Sequence, residues 1–535
     1  MSWTQNLILL PVLLPLLCGA LLILINESRH QLKFAINMTS VLLMLAVAIT
    51  LLVQADGDLW EGNIGVYLAG NWMAPFGIAL VVDRLAALML VMTAGMGAIA
   101  LLYSMLRWSR IGVHFHSLFQ FLLMGLNGAF LTHDLFNLFV FFEVMLAASY
   151  GLLLHGYNLN RIRAGMQFIA VNLVASLLFL IGVALIYAAA GTLNMADLSA
   201  KLGGLDQDDL MLLKIGASVL AIAFLIKSAM WPLGFWLPTT YSAASPPVAA
   251  MLVLMTKVGV YVLLRLWLLL FGEEGAEPGF GFEVLYWGGM FTLFFGAAGM
   301  LSTDQHGRLA GYAAIISSGT LLAVLGLDKP ELLASGLYYL VSSTLAVAAY
   351  MLLIELLERS RNPVEAMLAI TKEAFDFEEA PDQPVGVGIP GALAFVGLAF
   401  FACAIIIAGL PPLSGFIAKF SLLHGLLDGT GAEGVDLHSW LFGGLLLVVG
   451  FASIIALTRN GVRTLWASGA KPARLQPSEV ASVSLYLLLA VVITFQATPV
   501  FDFLQRASTD LQQPANYIER VLNAPVLPGV LGDNP

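Results

Sequence analysis

Apolar runs of about 20 residues recur along the whole of this 535-residue chain. Twenty residues at ~1.5 Å rise each cross the ~30 Å hydrocarbon core of a bilayer. Few folds survive that constraint, because in hydrocarbon every backbone N–H and C=O must find a partner inside the protein. Only helices and closed barrels manage it, and a barrel would show short alternating segments rather than continuous runs. The expectation is an all-α polytopic membrane protein. Charge agrees: 11% of residues are charged and the mean hydropathy is +0.89, against roughly 25% charged in soluble proteins.

Fourteen spans are expected, at roughly 5–26, 34–54, 78–104, 116–132, 134–156, 163–190, 210–240, 246–271, 282–301, 307–327, 332–357, 387–426, 438–458 and 478–497. The seventh and twelfth are too long for one crossing, and each contains a breaker. These are "MWPLGFWLP" with Pro232 and "GLPPLSGF" with Pro411 and Pro412. Proline removes a helix hydrogen bond and clashes with the preceding turn. Freed backbone groups at membrane depth are tolerated only within protein or along a hydrated cavity. Two broken spans five places apart imply two inverted five-helix repeats, as in transporters. The expected division is 1–115 (three spans), 116–271 (first repeat), 272–458 (second repeat, with a linker at 358–386) and 459–535 (last span and tail).

Loop charges fix an orientation. One set of alternating loops carries 14 lysines and arginines, from Arg29 and Lys33 to Lys471 and Arg474, and the opposite set carries only Lys201 and Lys329. Basic loops mark the cytoplasmic side, so both termini are expected outside. No basic residue precedes Arg29, so the first run reads as a retained span rather than a cleaved signal. The net charge of -10 resides mainly in the outer loops and the linker and gives no basic patch for nucleic acid. Cys18 and Cys403 lie in apolar runs. They form no disulfide or metal pattern, and no metal or cofactor is expected.

Six of the 24 lysines and arginines fall within spans: Arg84, Lys214, Lys227, Lys257, Arg265 and Lys419. Arg84 can pair with its neighbour Asp83 or snorkel, Lys214 can snorkel, and Arg265 is open to a structural or a functional role. The others are deep. Lys257 is about eleven residues into its span, Lys227 and Lys419 flank the two breaks, and Glu143 is the one equally central acid. Each such charge costs on the order of 2.5–3.5 kcal/mol to insert. An inert ion pair accounts for Glu143 and one lysine, but one carboxylate cannot neutralise three ammonium groups. The remaining lysines must give up protons part of the time or be hydrated. A glutamate–lysine pair of changing separation, followed by a row of lysines, takes up and passes on protons. Proton translocation is the expected function.

"HDLFNLFVFFEVMLAASYGLLLHG", "FLIKSAMWPLGFWLPTTYSAASPPVAAML", "TKVGVYVLLRLW", "TDQHGRLAGYAAIISSGT", "LYYLVSSTLAVAAYMLL" and "GLPPLSGFIAKF" follow one another along the chain. Together they resemble the proton-conducting antiporter-like subunits of respiratory complex I, membrane-bound hydrogenases and Mrp-type cation/proton antiporters, over spans three to thirteen. The similarity is greatest to the D-type subunits of the Mrp (Mnh, Pha) branch. That resemblance implies a secondary-transporter subunit in a bacterial inner membrane, assembled with subunits A, B, C, E, F and G. The complex would exchange protons for sodium or potassium, with proton-translocating roles at Glu143, Lys227, Lys257 and Lys419. Lysine rather than glutamate at 419 favours the D type over the complex I M type.

Relatives often have histidine where Ser317 stands, and histidine and lysine at Ser342 and Val347, so the link from Lys257 to Lys419 falls to hydroxyls and water. Ser318, Ser343 and Thr344 add further hydroxyls. His133 and His155, near the ends of the fifth span, are candidates for proton entry. His306 is a further candidate, expected in a loop. The rival reading is a subunit of a redox-driven proton pump using the same residues. A purely structural scaffold leaves the deep charges unexplained, and no nucleophile–base set or phosphate loop supports an enzyme.

Overall fold

The structure, a computed structural model, describes residues 3–57, 59–156, 158–273, 277–360, 390–428, 435–465 and 474–526. It is a helical bundle in which, among the described residues, thirteen helices are long and apolar enough to cross a membrane. In chain order the helices used below are α1 (Leu10–Leu24), α2 (His30–Asp56), α3 (Arg84–Ser104), α4 (Phe115–Leu131), α5 (Leu135–Leu154), α6 (Leu159–Ala190), α7 (Gln207–Lys227) and α8 (Leu237–Ala243). They continue with α9 (Pro246–Phe271), α10 (Phe282–Ser302), α11 (His306–Leu327), α12 (Pro330–Ser360), α13 (Gly391–Ala408), α14 (Ser414–Asp428), α15 (Leu437–Leu465) and α16 (Pro477–Phe495). Two amphipathic helices close the described chain, α17 (Ala497–Gln512) and α18 (Pro514–Leu522). The fourth expected span, α4, has 17 residues and is shorter than the thirteen.

Polar caps set several starts. Asp83 accepts from the Ala86 N–H at 2.8 Å and Asp134 from the Asn137 N–H at 2.8 Å, satisfying amides that have no intrahelical partner. The third span accordingly begins later than expected. Ala79–Val82 is strand β2, antiparallel to β1 (Gly65–Leu68), and the helix starts at Arg84. A short apolar run such as "ALVV" fits strand and helix alike.

Both expected breaks are present. The first begins earlier than Pro232: α7 already stops at Lys227, and Ala229 has φ 57. The second lies between α13 and α14, where Gly409 takes φ 80. Helices α9, α11 and α12 are buried along nearly their whole length at the centre. Leu24, Phe401 and Phe495 on outer helices are exposed, as suits contact with lipid.

Two charge placements differ from expectation. Arg84 pairs not with Asp83 but with Asp56 at 2.8 Å and Asp510 at 2.7 Å, while Asp83 pairs with Arg265 at 2.9 Å. Sequence neighbours at a helix start point apart, so each finds a partner on another element. Lys33 is not in a loop: it lies in the first turn of α2, 1% exposed, against Glu27 at 2.8 Å. Lys214 does reach outward, to Glu277 at 2.9 Å. The linker beyond Ser360, with Arg361 and Lys372, lies outside the described residues, as does Lys471.

Candidate proton-translocation site

Lys227 is the last residue of α7 and is 5% exposed. Its ammonium donates to the Asn172 side-chain carbonyl on α6 and sits 4.9 Å from the centre of the Phe142 ring on α5. Next to Phe142 is Glu143, half-buried, whose carboxylate accepts from the Ser176 hydroxyl, also on α6. No salt bridge joins Glu143 to Lys227, although Glu143 is the charge that acts on Lys227. The expected pair is therefore split, with Asn172 and Ser176, one helical turn apart, holding one member each.

Beyond the break, Lys257 on α9 is fully buried and donates to Ser317 Oγ on α11 at 2.6 Å. Ser317 Oγ lies 2.7 Å from Ser343 Oγ on α12. The adjacent Ser342 donates to Ser414 Oγ, the first residue of α14, at 2.8 Å. Further along α14, Lys419 is 8% exposed and its ammonium donates at 2.8 Å to the Ala408 carbonyl at the end of α13. Gly409 makes that possible, since a Cβ there would lie 2.4 Å from Lys419 Cδ. Thr344 turns back to Leu340 O at 2.6 Å, and Ser318 Oγ is buried with no hydrogen-bond partner. The three buried ammonium groups thus rest on neutral acceptors, and among the described residues none of them forms an ion pair.

The histidines stand differently. His133 is fully buried between α4 and α5, with Nδ1 3.0 Å from Leu131 O, Nε2 without a hydrogen-bond partner, and its ring centre 5.2 Å from that of Tyr517. Burial first, and the Arg265 charge second, push it down to about 3, so the ring is neutral at neutral pH. His155, just past α5, donates to Trp108 O at 3.0 Å, and burial lowers it too. His306 is not a loop or surface residue. It opens α11, is 2% exposed, and its nitrogens lie 2.8 Å from Tyr350 Oη and 2.8 Å from Thr464 Oγ1.

Sequence reasoning passed over Asn172, Ser176 and Ser414, because it followed charge and these are neutral. It also passed over Glu355, near the end of α12, which is 8% exposed. Glu355 accepts from Trp108 Nε1 at 2.8 Å, Tyr103 Oη at 3.1 Å, Arg359 at 2.5 Å and Arg107. The signal for Asn172 and Ser176 was available: two polar residues four apart in an apolar run. Among the described residues, no three His, Cys, Asp or Glu side chains group so as to hold a metal ion.

Residues 132–373 match the family described as NADH:quinone oxidoreductase/Mrp antiporter, TM, a description that covers redox-driven and cation-exchanging complexes alike. Identity separates the two. Over 533 residues, 98% of this chain and 99% of the relative, the sequence is 52% identical to the D subunit of a probable K(+)/H(+) antiporter of Rhizobium meliloti. The chain belongs to the D-type family of multisubunit monovalent cation/proton antiporter components. A second relative, the D subunit of a Na(+)/H(+) antiporter of Alkalihalophilus pseudofirmus, is 32% identical over 97% of this chain and 99% of its own. A chain of the solved Mrp complex from Dietzia sp. DQ12-45-1b superposes with a TM-score of 0.80, covering 98% of this protein and 100% of that chain at 24% identity, which shows a shared fold. A D-type subunit is a transporter component rather than an enzyme, and the resemblance drawn from the six quoted segments holds.

Proposed function

We propose that this D-type subunit conducts protons along Glu143, Lys227, Lys257 and Lys419, while the complex it joins exchanges them for a monovalent cation. One observation carries the reading: three buried ammonium groups, on the two broken spans and the helix between them, rest on neutral acceptors with a single deep carboxylate beside the first. Such lysines are easily discharged, and serine hydroxyls both donate and accept. Ser317, Ser343, Ser342 and Ser414 lead from Lys257 toward Lys419, and water fills the remaining gaps. Pro232, Pro411 and Pro412 keep the two spans open at this depth. His133, His155 and His306 remain candidates for passing protons to and from the row.

In this reading α4 also crosses the membrane, making fourteen spans, and residues 116–271 and 272–458 form the two inverted repeats. The bias of basic loops places both termini on the outer side of a bacterial inner membrane. The partners are subunits of the A, B, C, E, F and G types, with protons moving inward against potassium or sodium. The name of the 52% identical relative supports potassium.

The test is cation-driven proton movement in inverted vesicles holding the whole complex, with sodium and potassium supplied separately. Lys227→Ala should abolish exchange while the complex remains assembled, and exchange at the normal rate would refute the row. The second reading, a redox-driven pump subunit, is favoured only by the breadth of the family description. Proton movement driven by a quinone reductant without added cation would support it instead.

A further inference from the structure

The bridge across α6 has a property that the row alone does not explain. Asn172 is fully buried, and its side-chain N–H donates to the Phe168 carbonyl at 2.6 Å. That bond fixes which way the amide points. Turned over, it would set oxygen against the Phe168 carbonyl and N–H against the Lys227 ammonium, two repulsive contacts in place of two hydrogen bonds. The carbonyl oxygen is thus committed to Lys227. An amide does not readily take or release a proton, so it can hold an ammonium but cannot relay from it. Ser176 differs: its hydroxyl donates to Glu143 and can still accept a second hydrogen bond.

We propose that Asn172 and Ser176 are positioning residues that hold Lys227 and Glu143 apart, Asn172 acting as an insulating clamp that must release the ammonium before the pair can exchange a proton. The proposal rests on the row above. On release, Lys227–NH3+ and Glu143–COO− become Lys227–NH2 and Glu143–COOH: one N–H bond breaks, one O–H bond forms, and total charge is conserved. While the clamp holds, that transfer has no path, and the release step is where cation exchange elsewhere in the complex can be tied to proton movement. Glu143 acts on Lys227, Tyr150 feels Glu143, and Phe142 offers Lys227 only a ring face.

The experiment uses the whole complex in inverted vesicles and reads two quantities: cation-driven exchange, and passive proton leak without sodium or potassium. Asn172→Ala frees the ammonium, so leak should rise severalfold while coupled exchange falls. Asn172→Asp puts an anion against Lys227, so exchange should fall about tenfold or more with no added leak. Ser176→Ala should slow exchange, and Ser176→Thr, which restores the hydroxyl, should recover part of the loss. In a Glu143→Gln background, Asn172→Ala should produce no leak, because the acceptor is gone; such non-additivity marks a shared step. Leak unchanged in assembled Asn172→Ala complexes, or losses that simply add to those of Glu143→Gln, would overturn the clamp. Lys227→Ala runs alongside: if it abolishes exchange while the Asn172 variants behave as wild type, the row stands and the clamp fails. If Lys227→Ala itself is silent, the row fails.

Discussion

The two broken spans hold their lysines in opposite ways. At the first, Lys227 ends the half-helix before the break, and every group that steadies it belongs to a neighbouring helix: the Asn172 amide on α6 and the Phe142 ring on α5, with Glu143 beside it. At the second, Lys419 follows the break and leans on the Ala408 carbonyl of its own span, and among the described residues it forms no ion pair. The first lysine therefore answers to movement between helices, whereas the second is carried by one span and moves with it. The first break is suited to coupling. If protons follow the proposed row, the second is suited to storing one at its far end.

Several substitutions test that contrast, the first having the largest effect. Lys227→Ala should lower exchange by roughly 10²–10⁴-fold, the range for losing a positioned proton-transfer group, as read by vesicle transport. Parity with Lys419→Ala would erase the distinction. Arg265→Leu touches neither break but strands the buried Asp83 carboxylate, and should destabilise the protein by about 3–5 kcal/mol. Thermal unfolding of the purified complex would show it. Lys419→Ala should slow exchange about tenfold, equal to ~1.4 kcal/mol of barrier, because water can take its place on the carbonyl. Ser317→Ala, which removes the acceptor of Lys257, should cost about 1 kcal/mol, a rate drop of a few fold.

At neutral pH the smallest effect belongs to His133, and it emerges only in acid. His133 is pushed down to about 3, so protonation favours the unfolded chain. Its contribution is present above the ordinary imidazole value of about 6.5 and is lost as pH falls toward the folded value. His133→Gln should flatten the acid side of the thermal-stability profile and leave the neutral region alone. Equal slopes in both proteins would show that the imidazole titrates alike in the folded and the unfolded chain, so that burial does not depress it.

Much of this molecule was legible beforehand, for physical reasons. Spans announce themselves because twenty apolar residues have few other uses, and the two breaks because proline cannot continue a helix. Glu143, Lys227, Lys257 and Lys419 stand out because a charge in hydrocarbon is too unfavourable to be incidental. What stayed hidden depends on three-dimensional neighbours. That Arg84 would choose Asp56 and Asp510, leaving Asp83 to Arg265, follows from which helices meet. The burial of His306 follows from the approach of α12 and α15. Asn172 and Ser176 were visible as residues, but following charge alone gives no weight to a neutral amide.

The bond from Arg84 to Asp510 joins positions 426 apart in the chain. A ribosome must reach residue 510 before that clasp can fasten, so until then the Arg84 guanidinium has only the nearby Asp56 as a partner. Insertion of the early helices thus precedes that locking by the time taken to add 426 further residues. A nascent chain halted before residue 510 should be digested by an added protease in the segment between α2 and α3 that carries the β1–β2 hairpin, and the released chain should resist.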